Sequence, residues 1–114
     1  MKDPDCLFCK IAAKELDSDV VSESDLVVAF RDINPAAPTH VLLIPKDHIV
    51  SARELKGEHG DVVAEIFETA ARIASDEGLD DYRIVTNVGL GAGQSVFHLH
   101  LHLLGGRSMS WPPG

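Results

Sequence analysis

Four short apolar runs and one long segment with a helical beat divide the chain. DLVVAFRD (25–32) and HVLLIP (40–45) are rich in β-formers, and the prolines of the intervening INPAAPT stop either run from continuing, which predicts neighbouring antiparallel strands. From about Glu58 to Glu77 the apolar residues Val62, Val63, Ile66, Phe67, Ala70, Ile73 and Ala74 recur at helical spacing, with Gly78 placed to end the helix. One face of that helix should pack on a sheet. YRIVTNV (82–88) and VFHLHLHLL (96–104) read as two further strands, joined by GLGAGQS, a loop long enough to bind something. Residues 5–13 read as a short helix. The order of elements predicts an α+β fold with a mostly antiparallel sheet, one long helix and one short one.

The last strand is unusual in what it alternates. Side chains of a strand point to opposite faces in turn, so His98, His100 and His102 should share one face while Leu99, Leu101 and Leu103 enter a core on the other. Histidine is a common acid–base group and metal ligand. On one face of a strand, i and i+2 lie ~6.7 Å apart, so the outer pair spans ~13 Å, too far for all three imidazoles to reach one metal at ~2 Å. A division of labour follows, with at least one imidazole left free for catalysis.

Cys6 and Cys9, the two cysteines of the chain, form a C-x-x-C pair. A redox pair of the thioredoxin kind would follow a strand and open a helix in a βαβ unit, which this N-terminal region does not offer. Zinc is the better reading, and His48 and His98 are the histidines that would complete a site of two cysteines and two histidines. The glycines of GLGAG (89–93) do not make a dinucleotide fingerprint, because a strand and not a helix follows them. They fit a loop whose backbone N–H groups, with the Ser95 hydroxyl, form an anion cradle. His59 and the acidic stretches DSDVVSESD and DEGLDD read as solvated surface.

At 114 residues and 45% hydrophobic, the chain (1–114) is expected to form one domain with its own core. A net charge of −8 argues against non-specific nucleic-acid binding, so any phosphate must be held by local donors. With no apolar leader in the first twenty residues, no run of membrane-spanning length and too few cysteines for a disulfide framework, the expected location is the cytoplasm.

On these residues the chain closely resembles the histidine triad (HIT) family, whose hallmark His-x-His-x-His-x-x is matched by His98 to Leu104. LFCKI, AFRDINPAAPTHVLLIPKDHI and GQSVFHLHLHLLGGRSMSWPPG extend the resemblance over almost the whole chain, and GQS, LGGR and WPPG are similar to the Hint branch, the nucleoside phosphoramidate hydrolases. The resemblance implies a homodimer of five-stranded antiparallel sheets that binds a purine nucleoside monophosphate, or its phosphoramidate, in each protomer. By motif position it implies His100 as the nucleophile, through a nucleotidyl-histidine intermediate, and His102 as a phosphate ligand that helps move protons. It places Ser95, the amides of Gly93, Gln94 and Ser95, and Asn87 at the phosphate, and Asp32 at the ribose. Phe30, Ile33, Phe8, Leu7 and Ile11 would form the base slot, His40 would support the histidines, and Trp111 would reach toward the partner protomer. The cysteines depart from many Hint relatives, while other HIT proteins pair this C-x-x-C with histidines at the positions of His48 and His98. With zinc bound, His98 would be structural, which puts its role in orienting the nucleophile in question.

Three functions compete on this reading: hydrolysis of the P–N bond of adenosine or guanosine phosphoramidates, hydrolysis of dinucleoside polyphosphates, and non-catalytic nucleotide binding with a regulatory role.

Overall fold

A computed structural model describes residues 2–114. The elements run α1 (Leu7–Ala12), β1 (Val20–Glu23), β2 (Val27–Arg31), β3 (Thr39–Pro45), α2 (Gly60–Asp76), β4 (Tyr82–Val85) and β5 (Leu101–Gly105), with short 3-10 turns between some of them. The five strands form one antiparallel sheet in the order β1-β2-β3-β5-β4. Among the described residues no helix is long and apolar enough to cross a membrane.

The central strand β3 is buried throughout, and its register decides which residues share a face. Phe30 lies opposite Leu42 and Leu42 opposite His102, whereas Ala29 lies opposite Leu43 and Leu43 opposite Leu101. The second row belongs to the core under α2, where Ile66, Ala70, Ile73 and Ala74 meet Val27, Ala29, Val41, Leu43, Leu99, Leu101 and Leu103. The first row belongs to a smaller core under α1, built from Phe8, Ile11, Val28, Phe30, Leu42 and Ile44 together with both cysteines. The alternation of leucine and histidine therefore divides as expected between two faces, the leucines in the core under α2 and the histidines on the α1 side.

Two of the predicted elements are shorter than the pattern suggested, and one was not anticipated. The run 96–104 is a strand only from Leu101 onward. Ahead of it the chain leaves the β3 ladder, and the Leu99 N–H donates to the Ile49 carbonyl at 2.6 Å instead. β4 likewise stops at Val85. The unanticipated element is β1, formed by VVSE inside the acidic stretch read as solvated surface; it pairs with β2 through an irregularity between Val20 and Ser22. Phe67 and Val63, expected on the packed face of α2, are not in its buried stripe, and Phe67 is exposed.

α2 ends where Gly78 stands. The Gly78 N–H donates to Ser75 and the Leu79 N–H to Ala74, a Schellman closure that needs the left-handed φ of +73° at Gly78. The closure turns Leu79 onto the core, against Gly105 in β5, where a Cβ would come within 2.5 Å of the Leu79 side chain.

Candidate active site and metal centre

On the α1 face of the sheet a cavity of about 610 Å³ opens between α1, the chain preceding β1, β2 and the start of β5. Its apolar walls include Leu7, Phe8, Ile11, Phe30 and Ile33, and Asp32, Ser95, His100 and His102 supply its polar groups. Leu42 forms part of the floor through the Phe30–Leu42–His102 row, a contribution that the sequence did not single out. Ile33 is 92% exposed, a rim residue and not a buried wall.

The protons on three of the histidines are fixed by their neighbours. His100 Nδ1 lies 2.7 Å from the His98 carbonyl, which can only accept, so Nδ1 carries the proton and Nε2 holds a free lone pair. His40 Nδ1 accepts from the Ala36 N–H at 2.9 Å, so the His40 proton is on Nε2, which faces His102 Nδ1 at 2.9 Å. His102 must then accept at Nδ1 and carry its proton on Nε2. The face thus presents an unprotonated nitrogen on His100 beside a donor nitrogen on His102, their ring centroids 5.0 Å apart. Asp32 lies beside His40, with one carboxylate oxygen 3.4 Å from His40 Nε2 and the other accepting from the Asn34 N–H.

Burial favours the neutral form of His102 and His40. Loss of solvent is the main reason that His102 is pushed down to about 4, with repulsion from His100 and His40 adding to it. His40 is lowered by burial too, against the opposing pull of Asp32. For His102 the folded chain favours the neutral form, so its contribution to stability is complete above the usual 6.5 and is lost as pH falls from there toward about 4. Denaturation midpoints of wild type and His102→Gln should therefore converge as pH is lowered through that window; a constant difference would contradict the assignment.

In the loop expected to hold phosphate, two of the three amides bond to the loop itself. The Gly93 N–H donates to Leu90 and the Gln94 N–H to Gly89, both at 3.0 Å, so these two amides are engaged within the loop. The Gln94 side chain is buried and also serves the loop: Oε1 accepts from the Gly89 N–H, and Nε2 donates to the carbonyls of Val50 and Val96. Ser95 alone of the trio lines the cavity. Asn87 is half-buried beside Gly93, outside the cavity wall. Trp111 is 81% exposed, with the Arg83 guanidinium over its ring and Arg83 Nη2 donating to the Ser110 carbonyl.

The structure brings the four expected metal ligands together, their ligand atoms all within 4.8 Å of one another. Cys6 Sγ lies 3.3 Å from His98 Nδ1, and Cys9 Sγ lies 3.5 Å from the same nitrogen and 3.4 Å from His48 Nδ1. A tetrahedral site with bonds of about 2.3 Å to sulfur and about 2.0 Å to nitrogen would hold its sulfur and nitrogen ligands about 3.5 Å apart, so the donor set fits zinc. His98 Nε2 donates to the Pro45 carbonyl at 2.8 Å, which turns the lone pair on Nδ1 toward the thiols. Burial pushes the Cys6 thiol up, so a bound cation would be needed to favour the thiolate. Asp32, His40 and His102 also lie close enough to hold a metal, but their contacts already form the hydrogen-bonded chain described above. His59 is half-buried, its Nδ1 accepting from the Lys56 N–H at 2.9 Å.

The family model described as scavenger mRNA decapping enzyme C-term binding matches residues 5–111. A HIT family hydrolase from Legionella pneumophila superposes with a TM-score of 0.94 at 51% identity, covering 96% of this chain and all of that one. Among curated relatives, a 14 kDa zinc-binding protein of Zea mays is 47% identical over all of this chain and 91% of its own. The adenylylsulfatase HINT1 of Arabidopsis thaliana is 47% identical over 98% of this chain and 78% of its own, and the purine nucleoside phosphoramidase of Escherichia coli is 45% identical over 90% and 88%.

Proposed function

Since the chain belongs to the histidine triad family, we propose that it is a hydrolase of purine nucleoside 5'-phosphoramidates working through a nucleotide carried on His100. The observation that carries this reading is the pair of tautomers, a free Nε2 lone pair on His100 beside an Nε2–H on His102 at one end of an apolar slot. In the first step His100 Nε2 attacks the α-phosphorus and the P–N bond breaks. The leaving nitrogen takes a proton, which His102 Nε2–H is placed to supply, and Ser95 meets the phosphate or the departing amine. Water then attacks the phosphorus, freeing the monophosphate and returning His100 to its neutral state. The purine lies between Phe8, Ile11 and Phe30, with Asp32 accepting from the ribose hydroxyls. Asn87 and the amides of Gly93 and Gln94 reach the phosphate only if the loop rearranges, since both amides are engaged within it.

Zinc, held by Cys6, Cys9, His48 and His98, would tie α1 to the sheet and supply no chemistry to the reaction. Such thiol ligation suits a reducing compartment, the cytoplasm. The proposal includes a homodimer, in which Trp111 would face the partner's site.

An adenylylsulfatase relative at 47% identity favours a second reading, in which sulfate replaces the amine as leaving group. Both use the same nucleophile, so a substrate panel separates them. Adenosine phosphoramidate and guanosine phosphoramidate should be cleaved faster than adenosine 5'-phosphosulfate or a diadenosine polyphosphate, and the same preparation should sediment at twice the chain mass. Fastest cleavage of the phosphosulfate would transfer the assignment to that class, and binding of AMP with no turnover of any substrate would leave a nucleotide-binding protein.

A further inference from the structure

His98 touches both centres with different parts of itself. Its ring faces the thiols through Nδ1, while its main-chain carbonyl accepts the proton on His100 Nδ1 at 2.7 Å. A second connection runs through α1. Phe8 lies between the two cysteines in sequence, and its ring meets His98 edge-on at 6.0 Å, His100 at 5.0 Å and Phe30 at 5.5 Å between centroids. A helix of six residues has no independent stability, so the place of Phe8 depends on what holds α1 to the sheet. The His100 main chain, by contrast, is anchored elsewhere, by the Thr86 hydroxyl donating to its carbonyl at 2.7 Å.

We propose that the Cys6–Cys9–His48–His98 centre is a positioning device for the nucleophile, fixing the ring of His100 through the His98 carbonyl and the face of Phe8. The proposal rests on the reading of His100 as nucleophile. It also answers the question raised by the C-x-x-C: His98 holds a metal with its ring and orients His100 with its backbone, so the two roles coexist. When the centre is lost, Thr86 still holds the His100 backbone and the Leu99 N–H still holds the His98–Leu99 peptide on Ile49. The His100 ring loses the packing of Phe8, and its acceptor loses one of the two restraints on the His98 ring, the Pro45 hydrogen bond remaining. The His100 proton can then move to Nε2, which removes the lone pair needed for attack.

The test compares zinc-loaded wild type with His48→Ala, because His48 is the ligand remote from both contacts, and with His48→Cys, which offers a fourth zinc ligand again. Zinc content, ¹⁵N imidazole spectra and single-turnover rates with adenosine phosphoramidate are read on each. Wild type should hold one zinc per chain by its four ligands and show His100 as the Nδ1–H tautomer. His48→Ala freed of zinc should show a mixture of His100 tautomers and a rate lower by about 10- to 100-fold, and His48→Cys should restore both. Should His48→Ala retain zinc or fail to fold, Phe8→Leu serves: it should keep the zinc and, without substrate, show the same mixture of His100 tautomers.

Wild type that binds no zinc overturns the proposal, as does zinc-free His48→Ala with an unchanged His100 tautomer and a rate within about twofold of wild type. Phe8→Leu with His100 wholly in the Nδ1–H form would also count against it. The tautomer is read without turnover, so it decides the positioning role even if the hydrolase reading fails on the substrate panel.

Discussion

His100→Asn should lower phosphoramidate hydrolysis by about 10³- to 10⁶-fold, the range over which enzymes lose activity with their nucleophile. Asparagine can still donate to the His98 carbonyl, so the local hydrogen bond is spared, but it has no basic nitrogen with which to attack phosphorus. AMP affinity should change by no more than a few-fold, because Asp32 and the apolar walls are untouched. His102→Ala should act more mildly, since proton transfer contributes less than the nucleophile itself and water can stand in for it. Rapid-quench mass spectrometry of wild type should find a nucleotide attached to His100 during turnover. Near-normal turnover by His100→Asn would end the enzyme reading at its centre.

Gln94→Leu should destabilise the chain by about 3 kcal/mol or more, although the two side chains are similar in size. The glutamine is 2% exposed and satisfies three main-chain groups, the Gly89 N–H and the carbonyls of Val50 and Val96. Leucine leaves all three unpaired, at about 1 kcal/mol or more each. For a domain of this size the melting temperature should fall by more than about 10 °C. Gln94→Glu should not rescue it, because a carboxylate keeps the acceptor for Gly89 but faces two carbonyls with no proton to offer. Activity should decline with stability, since Ser95 is the next residue and sits in the cavity wall. A melting temperature within about 2 °C of wild type would mean that the loop satisfies these groups in another way.

What the sequence made legible was carried by strong periodicity or by chemistry with few alternatives. The helical stripe from Val62 to Ala74 and the glycine that ends it announced α2, and the Leu–His alternation announced a sheet with two unlike faces. The spacing of Cys6 and Cys9 pointed to a candidate metal site, and the fold brings His48 and His98, the partners expected for it, to the two cysteines. β1 escaped notice because four residues in an acidic stretch carry too little pattern; it forms because β2 offers an edge for it to pair with. The break in the strand before Leu101 was invisible for the opposite reason: the alternation continues unbroken where the ladder does not. Tautomers could not be read at all, since they depend on partners distant in the chain, such as Pro45 for His98 and His40 for His102. Nor could the role of the Gln94 side chain, whose partners include Val50, 44 residues away.

The extended chain that leads into β5, and β5 itself, sort substitutions by the parity of their residue number. From 98 to 103, odd positions face the core under α2, and even ones reach the metal centre, the cavity or the His40 chain. A change at Leu99, Leu101 or Leu103 is felt as a loss of fold, whereas on the proposed reading one at His100 is felt chiefly as a loss of chemistry, and one at His98 or His102 as both. Within six consecutive residues, then, the side chains that fill the core under α2 are separated from those that line the cavity and the Cys–His group, so the two sets can be changed one residue at a time.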